Sequence, residues 1–267
     1  MIQTRQTWLT GGGLALAAVA IWARDGRWLE APANTLPLAL GLPLAYFLGR
    51  PWQPREGGTA DKQVGYIVLA VVGFACGWIL GSLTLLALSW SFLVLLWGYG
   101  NFARVAGRGR LVWLLLLSFP WLVIEWQSVG WAMRLSSACV AEQLFGLLQM
   151  PVQRDGTHIG ILGVPIEIEA SCAGWNLLQL TLLTGVACGA YEIRSSSRFA
   201  FLLALLPALA WLANLLRILI LAGIALSFDS QVAAGVLHGL TGLLILAAVL
   251  AMTKALCYFL AAPPTPT

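Results

Sequence analysis

Three side chains in the second half of the sequence have the types that thiol chemistry needs. Cys172 precedes a long apolar stretch, Arg217 lies in LANLLRILIL, and His238 lies in AAGVLHGLTGLL. A cysteine attacks a carbonyl carbon as the thiolate, and a neighbouring base helps to form that thiolate. Histidine suits this role because its unperturbed pKa is about 6.5. A guanidinium can then donate hydrogen bonds to the resulting oxyanion. These residue types predict nucleophilic acyl transfer.

Arg217 is the residue of the three that a purely structural role explains least well. Placing an arginine inside an apolar span costs about 2.5–3.5 kcal/mol on insertion scales. No Asp or Glu occurs inside the apolar stretches around it, although Glu169 and Asp229 near their ends remain open as partners. Taken alone, Cys172 also fits a small buried hydrophobe, and His238 also fits a hydrogen bond to a neighbouring carbonyl.

Composition indicates which elements must position these side chains. The chain is 60% hydrophobic and 10% charged, whereas soluble domains carry about 25% charged residues. Such a chain belongs in a bilayer, and its long, non-alternating apolar runs favour helices over a barrel. We expect an all-α polytopic bundle of about eight transmembrane helices, at roughly 8–22, 35–49, two within 64–99, 111–126, 173–191, 199–226 and 234–260.

The segment between the fifth and sixth spans has a different character. Residues from Trp131 to Leu148 have mixed polarity, which predicts an amphipathic helix lying on the membrane surface. Turn signals at Asp155-Gly156 and at Gly163, with alternation around them, predict a small β-hairpin. The chain is then one integral membrane domain, with N-terminal spans in 1–126, an extracytoplasmic segment in 127–171 and the catalytic spans in 172–260.

Basic residues indicate the orientation of the bundle. Loops on one side carry more of them: Arg5, Arg50, Arg55, Lys62, Arg104, Arg108, Arg110, Arg194 and Arg198. The positive-inside rule places that side, with both termini, in the cytoplasm. We therefore expect a multi-pass protein whose site faces away from the cytoplasm, which in a bacterial inner membrane is the side of the periplasm or the outside. The net charge of +4 is explained by this topology, and no nucleic-acid partner is expected.

This orientation brings the three reactive side chains to one level in the outer half of the membrane. Arg217 is about nine residues from the outer end of its predicted helix, or about 13 Å deep. We expect Asn176, one turn beyond Cys172, and Asn214, on the face of Arg217, to support the set, together with Glu169. Close backbone approach is expected at three glycines: Gly174, Gly239 and Gly242. The cysteine spacings match no zinc or redox motif, so no metal or cofactor is predicted.

These motifs resemble the exosortase/archaeosortase family of polytopic membrane enzymes, which have a Cys–Arg–His set. The resemblance rests on EASCAGWNLL with Cys172-Ala173-Gly174, on NLLRI with Asn214 and Arg217, and on His238 in the last span. It covers roughly residues 160–250, and the N-terminal half only in outline. The resemblance implies a cysteine endopeptidase or transpeptidase. It also implies a substrate, namely secreted proteins whose C-terminal sorting tail carries a motif such as Pro-Glu-Pro, a membrane helix and a basic cluster. Cleavage near that motif would form a Cys thioester, followed by transfer to a cell-envelope acceptor.

Two other classes of protein remain as alternatives. A non-enzymatic transporter or polysaccharide-assembly component would also be a polytopic bundle, but transporters favour internal repeats and matched interrupted helices, and no convincing repeat is present. Intramembrane proteases of other types are disfavoured because the sequence lacks Gly-x-Ser-x-Gly and His-Glu-x-x-His.

Overall fold

The computed structural model describes residues 2–29, 32–54, 64–104, 108–168, 174–228 and 236–261. Most of them are helical. The α-helices are α1 (Ile2–Arg24), α2 (Pro32–Leu48), α3 (Val64–Leu80), α4 (Leu83–Asn101), α5 (Arg108–Leu117), α6 (Trp121–Glu125), α7 (Gln127–Leu147), α8 (Trp175–Glu192), α9 (Ser196–Ser227) and α10 (Val236–Leu260). The strands are β1 (Gln53–Pro54), β2 (Phe102–Arg104), β3 (Val152–Asp155), β4 (His158–Ile161) and β5 (Val164–Glu167).

Each predicted transmembrane range coincides with one or two of these helices. Within the described residues, three helices are long and apolar enough to cross a membrane, over Leu83–Asn101, Ser196–Ser227 and Leu237–Leu260. Shorter apolar helices cover Leu9–Arg24, Thr35–Leu48 and Val64–Leu80. The fifth predicted range is divided into α5 and α6 just before Trp121, because Pro120 has no N–H and disfavours helical geometry in the residue before it. The total of eight crossings stays a prediction.

The chain divides into two compact units, and the first contains Met1–Glu125 with Val186–Arg194. Its α3 and α4 form a tight antiparallel pair around Gly81, which has a φ of 74°. A Cβ on Gly77 would lie 2.9 Å from the backbone nitrogen of Leu86, and one on Gly73 would lie 2.6 Å from Ser89 Oγ. Small residues four apart therefore let the two helices approach closely, as is common in membrane bundles.

A single carboxylate fixes the start of α4. Glu125 accepts hydrogen bonds from the backbone nitrogen of Thr84 at 2.9 Å and from Ser82 Oγ at 3.3 Å. It also accepts from the backbone nitrogen of Leu83 and from Thr84 Oγ1. The first N–H groups of a helix have no partners within that helix, and its positive end favours an anion. Glu125 supplies both the acceptors and the charge.

The second unit contains Trp126–Gly185 and Ser195–Thr267. Here β3, β4 and β5 form an antiparallel meander, with reversals at Gly156 and Gly163, which both have positive φ. The sequence predicted one hairpin with turn signals at both places, and the structure has a third strand. A buried cluster joins this sheet to α7 and α9: Ala138, Ala141, Phe145, Ile159, Ile161, Ile168, Ile218 and Ala222. Ala138, Ala141 and Phe145 of α7 are thus covered by protein, whereas Trp131 and Leu147 of the same helix are exposed. The position of α7 on the membrane surface stays a prediction.

Replacing the carboxylate that caps α4 should destabilise the protein more than breaking an exposed ion pair. We expect Glu125→Ala to lose about 1–3 kcal/mol of stability, because it leaves several partly buried donors unpaired. Glu142→Ala, which breaks the partly exposed 2.6 Å pair with Arg154, should lose less than about 1 kcal/mol. Thermal unfolding in detergent measures both variants. Equal unfolding midpoints for the two would contradict this account of the α4 cap.

Candidate active site

The structure brings Arg217 and His238 into direct contact. Nη2 of Arg217, on α9, lies 2.9 Å from Nε2 of His238, on α10. A guanidinium has only donors, so Arg217 donates and Nε2 accepts. This contact therefore requires a neutral imidazole whose Nε2 carries the lone pair. Two neighbouring helices therefore hold the guanidinium of Arg217 next to an imidazole that can take up a proton.

Gly242 lets the guanidinium lie against α10. A Cβ at this position would be 3.1 Å from Nη2 of Arg217 and 3.3 Å from its Cζ. Gly242 is four residues after His238, so the two share one face of the helix. The prediction for Gly239 was wrong, since it is exposed and a Cβ there would meet no described atom within 4 Å.

One donor of Arg217 is still available. Its Nε is buried and has no hydrogen-bond partner among the described residues. A buried unsatisfied donor costs about 1–3 kcal/mol, and such donors are rare in native proteins outside functional sites. The guanidinium can therefore hold His238 through Nη2 and donate to another acceptor through Nε.

Asn214 connects this pair to the start of α8. It is fully buried and precedes Arg217 by three residues, on the same side of α9. A Cβ on Gly174 would lie 2.8 Å from Cγ of Asn214 and 3.1 Å from its Nδ2. Gly174 also has a φ of 78°, and its carbonyl accepts from the backbone nitrogen of Leu178 at 2.8 Å. Only glycine meets both conditions without strain.

The predicted nucleophile itself falls outside the described residues. The structure does not describe 169–173, which contains Cys172 and Glu169, nor does it describe Asp229. The sixth span was predicted to begin at residue 173, and the described helix α8 begins at Trp175. Asn176 is its second residue and is half-buried.

The residues on either side of 169–173 are both packed in the interior of this unit. Ile168, just before it, is buried in the cluster that contains Ile218 of α9. Gly174, just after it, lies against Asn214 of α9. Positions 214 and 218 are one helical turn apart. Arg217 lies between these two positions along α9.

α9 is longer than a bilayer crossing requires. It has 32 residues, or about 48 Å, against about 30 Å for the bilayer core. Arg217 contacts His238, which is only the third residue of α10. α9 continues from there for about 15 Å, and this part includes Ile218 and Ala222 in the cluster with the sheet. The pair thus lies near the start of α10, and the depth of Arg217 in the membrane stays a prediction.

Sequence reasoning missed one residue beside the undescribed segment. Arg134, on α7, donates through Nη1 to the carbonyl of Ile168 at 3.4 Å, and its buried Nε has no partner among the described residues. The sequence reading treated it as a polar residue of an amphipathic helix. The available signal was its spacing from Gly130 and Ser137, which places all three residues on one helical face.

The comparison with family profiles identifies the family of the chain. A family profile described as transmembrane exosortase matches residues 12–254, nearly the whole chain. The chain belongs to the transmembrane exosortase family. The similarity to this family, which the motifs indicated for roughly residues 160–250, thus extends through the N-terminal spans. This exosortase is a membrane protein. Neither the curated proteins nor the solved structures contain a match to it.

The Arg217–His238 contact predicts how two glycine variants should differ. Gly242→Ala should displace the guanidinium and change the environment of Nε2 in His238, whereas Gly239→Ala should leave it unchanged. The exosortase has only two histidines, so ¹⁵N spectra of histidine-labelled protein can resolve both. A His158→Asn variant assigns the signals. Wild-type-like His238 signals in Gly242→Ala would show that the contact does not exist in the membrane protein.

Proposed function

We propose that this exosortase is a membrane cysteine transpeptidase. It cleaves the C-terminal sorting tails of secreted proteins through a thioester on Cys172, and it transfers the new carboxyl end to a cell-envelope acceptor. The observation that carries the proposal is the hydrogen bond between Arg217 and His238, beside the anchored ends of the segment that contains Cys172.

Chain length supports placing the sulfur within reach of that pair. Cys172 is two residues from Gly174, and two peptide steps span at most about 7 Å. Gly174 packs on Asn214, which is less than one turn from Arg217 along α9. This reach supports a role for Cys172 together with Asn214 and Arg217. In this proposal Asn214 and Asn176 orient the reacting groups, and Glu169 adds a carboxylate within the same segment.

The proposed reaction begins with the thiol. When the substrate carbonyl enters the site, Arg217 moves its hydrogen bond from Nε2 to the carbonyl oxygen, and His238 takes the thiol proton. The thiolate attacks the carbonyl carbon, and Arg217 donates to the oxyanion that forms. The carbon–nitrogen bond then breaks, and the leaving amine takes the proton from His238. The product is a thioester on Cys172, and the tail is released.

In the second half of the reaction, an acceptor takes the place of the thiol as the nucleophile, and the sulfur becomes the leaving group. An amine or hydroxyl of the acceptor, or water, gives its proton to His238 and attacks the thioester carbon. The carbon–sulfur bond breaks, and the sulfur recovers the proton. Transfer dominates over hydrolysis when the acceptor reaches the thioester before water does.

The membrane setting fits a substrate that carries a hydrophobic tail. A tail helix in the bilayer would have its outer end near the start of α10, where Arg217 and His238 meet. The basic residues predicted on the opposite side support an orientation with this level outside the cytoplasm. In a bacterial inner membrane, secreted substrates and envelope acceptors would both reach the site from the periplasmic side.

Loss of the thiol should abolish cleavage. We expect Cys172→Ala to stop removal of the tail from a co-expressed secreted substrate. Removal is measured from the mobility of the substrate on a gel and from the mass of its C-terminal fragment. Cys139→Ala is the matched control, because Cys139 is a half-buried cysteine of the same unit and has no role in the proposal. Thermal unfolding of both purified variants checks that they fold. Continued cleavage by folded Cys172→Ala would exclude a thioester on Cys172.

A further inference from the structure

The antiparallel sheet of the second unit has one edge that pairs with no other described strand. The strand order is β3-β4-β5, so β3 and β5 are the two edges. β3 is held to α7 by the 2.6 Å ion pair between Arg154 and Glu142. β5 packs against α9, and beyond β4 no described residue forms a backbone hydrogen bond with it. An edge of this kind can pair with another extended chain.

The register of the sheet shows which backbone groups of β5 point to that edge. Opposite residues in an antiparallel pair alternate between those that exchange hydrogen bonds and those that do not. The backbone nitrogen of Ile168 donates to the carbonyl of Thr157 at 3.1 Å. The next pair along β5, Glu167 with His158, therefore exchanges none. Glu167 and, two residues earlier, Pro165 thus direct their backbone groups away from β4.

This edge offers one hydrogen-bond donor and two acceptors. Pro165 and Glu167 are both exposed. Glu167 contributes its N–H and its carbonyl, whereas Pro165 contributes only a carbonyl because proline has no backbone N–H. Proline is tolerated in an edge strand when its nitrogen faces away from the ladder, and the missing donor limits unselective pairing. The remaining groups suffice for three hydrogen bonds to an added strand.

β5 lies next to the helix that carries the candidate site. Ile166 packs against the buried cluster that includes Ile218 of α9, and Ile218 directly follows Arg217. The other face of the sheet is polar, since the side chains of Glu167 and His158 lie 3.9 Å apart and are both more than half exposed. Charged groups favour water over lipid. An extended peptide suits this edge better than a lipid chain, because only the peptide can use its hydrogen bonds.

We propose that β5 binds the extended segment of the secreted substrate that precedes the membrane helix of its tail. The segment adds a fourth strand to the sheet. It accepts from the N–H of Glu167 and donates to the carbonyls of Pro165 and Glu167. Strand addition of this kind gives affinity through the main chain. The inference rests on the proposed function, since it assigns a binding surface to the same substrate.

Two variants of Glu167 separate its backbone donor from its carboxylate. Glu167→Pro removes both, and it leaves the bonds between β4 and β5 intact because this nitrogen points away from β4. Glu167→Ala removes only the carboxylate and is the matched control. Each is combined with Cys172→Ala so that the peptide is not cleaved. The measurement is the Kd of a fluorescent peptide that carries a sorting tail, in detergent, and thermal unfolding checks that each variant folds.

We expect Glu167→Pro to weaken peptide binding about tenfold, since it removes one hydrogen bond and places a proline ring against the added strand. Glu167→Ala should bind within about twofold of the parent, because an exposed ion pair contributes little. Methylation of single backbone nitrogens of the peptide should weaken binding at two positions that lie two residues apart. Those two N–H groups are the donors to the carbonyls of Pro165 and Glu167.

The outcomes distinguish this inference from the proposed function. Equal affinity of folded Glu167→Pro and Glu167→Ala would overturn the inference, while cleavage that depends on Cys172 would leave the proposed function intact. If Glu167→Pro does not fold, the methylated peptides decide, and affinities without the two-residue spacing would overturn the inference. An altered oligomeric state of Glu167→Pro with unchanged peptide affinity would instead assign the edge to a contact between copies of the chain. A tail peptide that the wild type neither binds nor cleaves would refute the proposed function and this inference with it.

Discussion

The hydrogen bond between Arg217 and His238 is the interaction on which the site depends. A guanidinium donates and never accepts, so the bond holds only while His238 is neutral at Nε2. In the proposed mechanism this bond is exchanged, because an arriving carbonyl oxygen is also an acceptor. Freeing a base and binding an oxyanion, two tasks that a thiol acyl transferase must coordinate, would then be joined in one movement of the Arg217 side chain.

Three glycines, which have no side chain, make that arrangement possible. Gly242 leaves room for the guanidinium on α10, Gly174 allows the chain to rest on Asn214, and Gly130 admits the indole of Trp175. A Cβ would collide with Asn214 at Gly174 and with Trp175 at Gly130, and at Gly242 it would press on the guanidinium of Arg217. Polar groups near a bilayer need protein partners because lipid supplies none. These glycines therefore make room for polar and aromatic side chains as well as allowing the helices to pack closely.

The helices and the unusual position of Arg217 were predictable from the local sequence. The packing around the site was not, because it depends on contacts between distant parts of the chain. Apolar stretches located the helices, and the rarity of charge within them singled out Arg217. Hydropathy could not show that α9 extends past the start of α10, since Ile218 and Ala222 are equally apolar facing lipid or facing the sheet. For the same reason the cover on α7, and with it the position of Arg134 beside Ile168, was not predictable. Gly239 and Gly242 differ only in which side of α10 they occupy.

The most direct test of the central claim is to look for the covalent intermediate. Purified protein in detergent is mixed with a peptide that carries a sorting tail, quenched in acid and digested for mass spectrometry. The account predicts an acyl adduct on the fragment that contains Cys172. Neutral hydroxylamine should remove this adduct, and it should be absent when Arg217 is replaced by alanine. Cleavage of the peptide without an adduct, or with the adduct on another cysteine, would contradict the account.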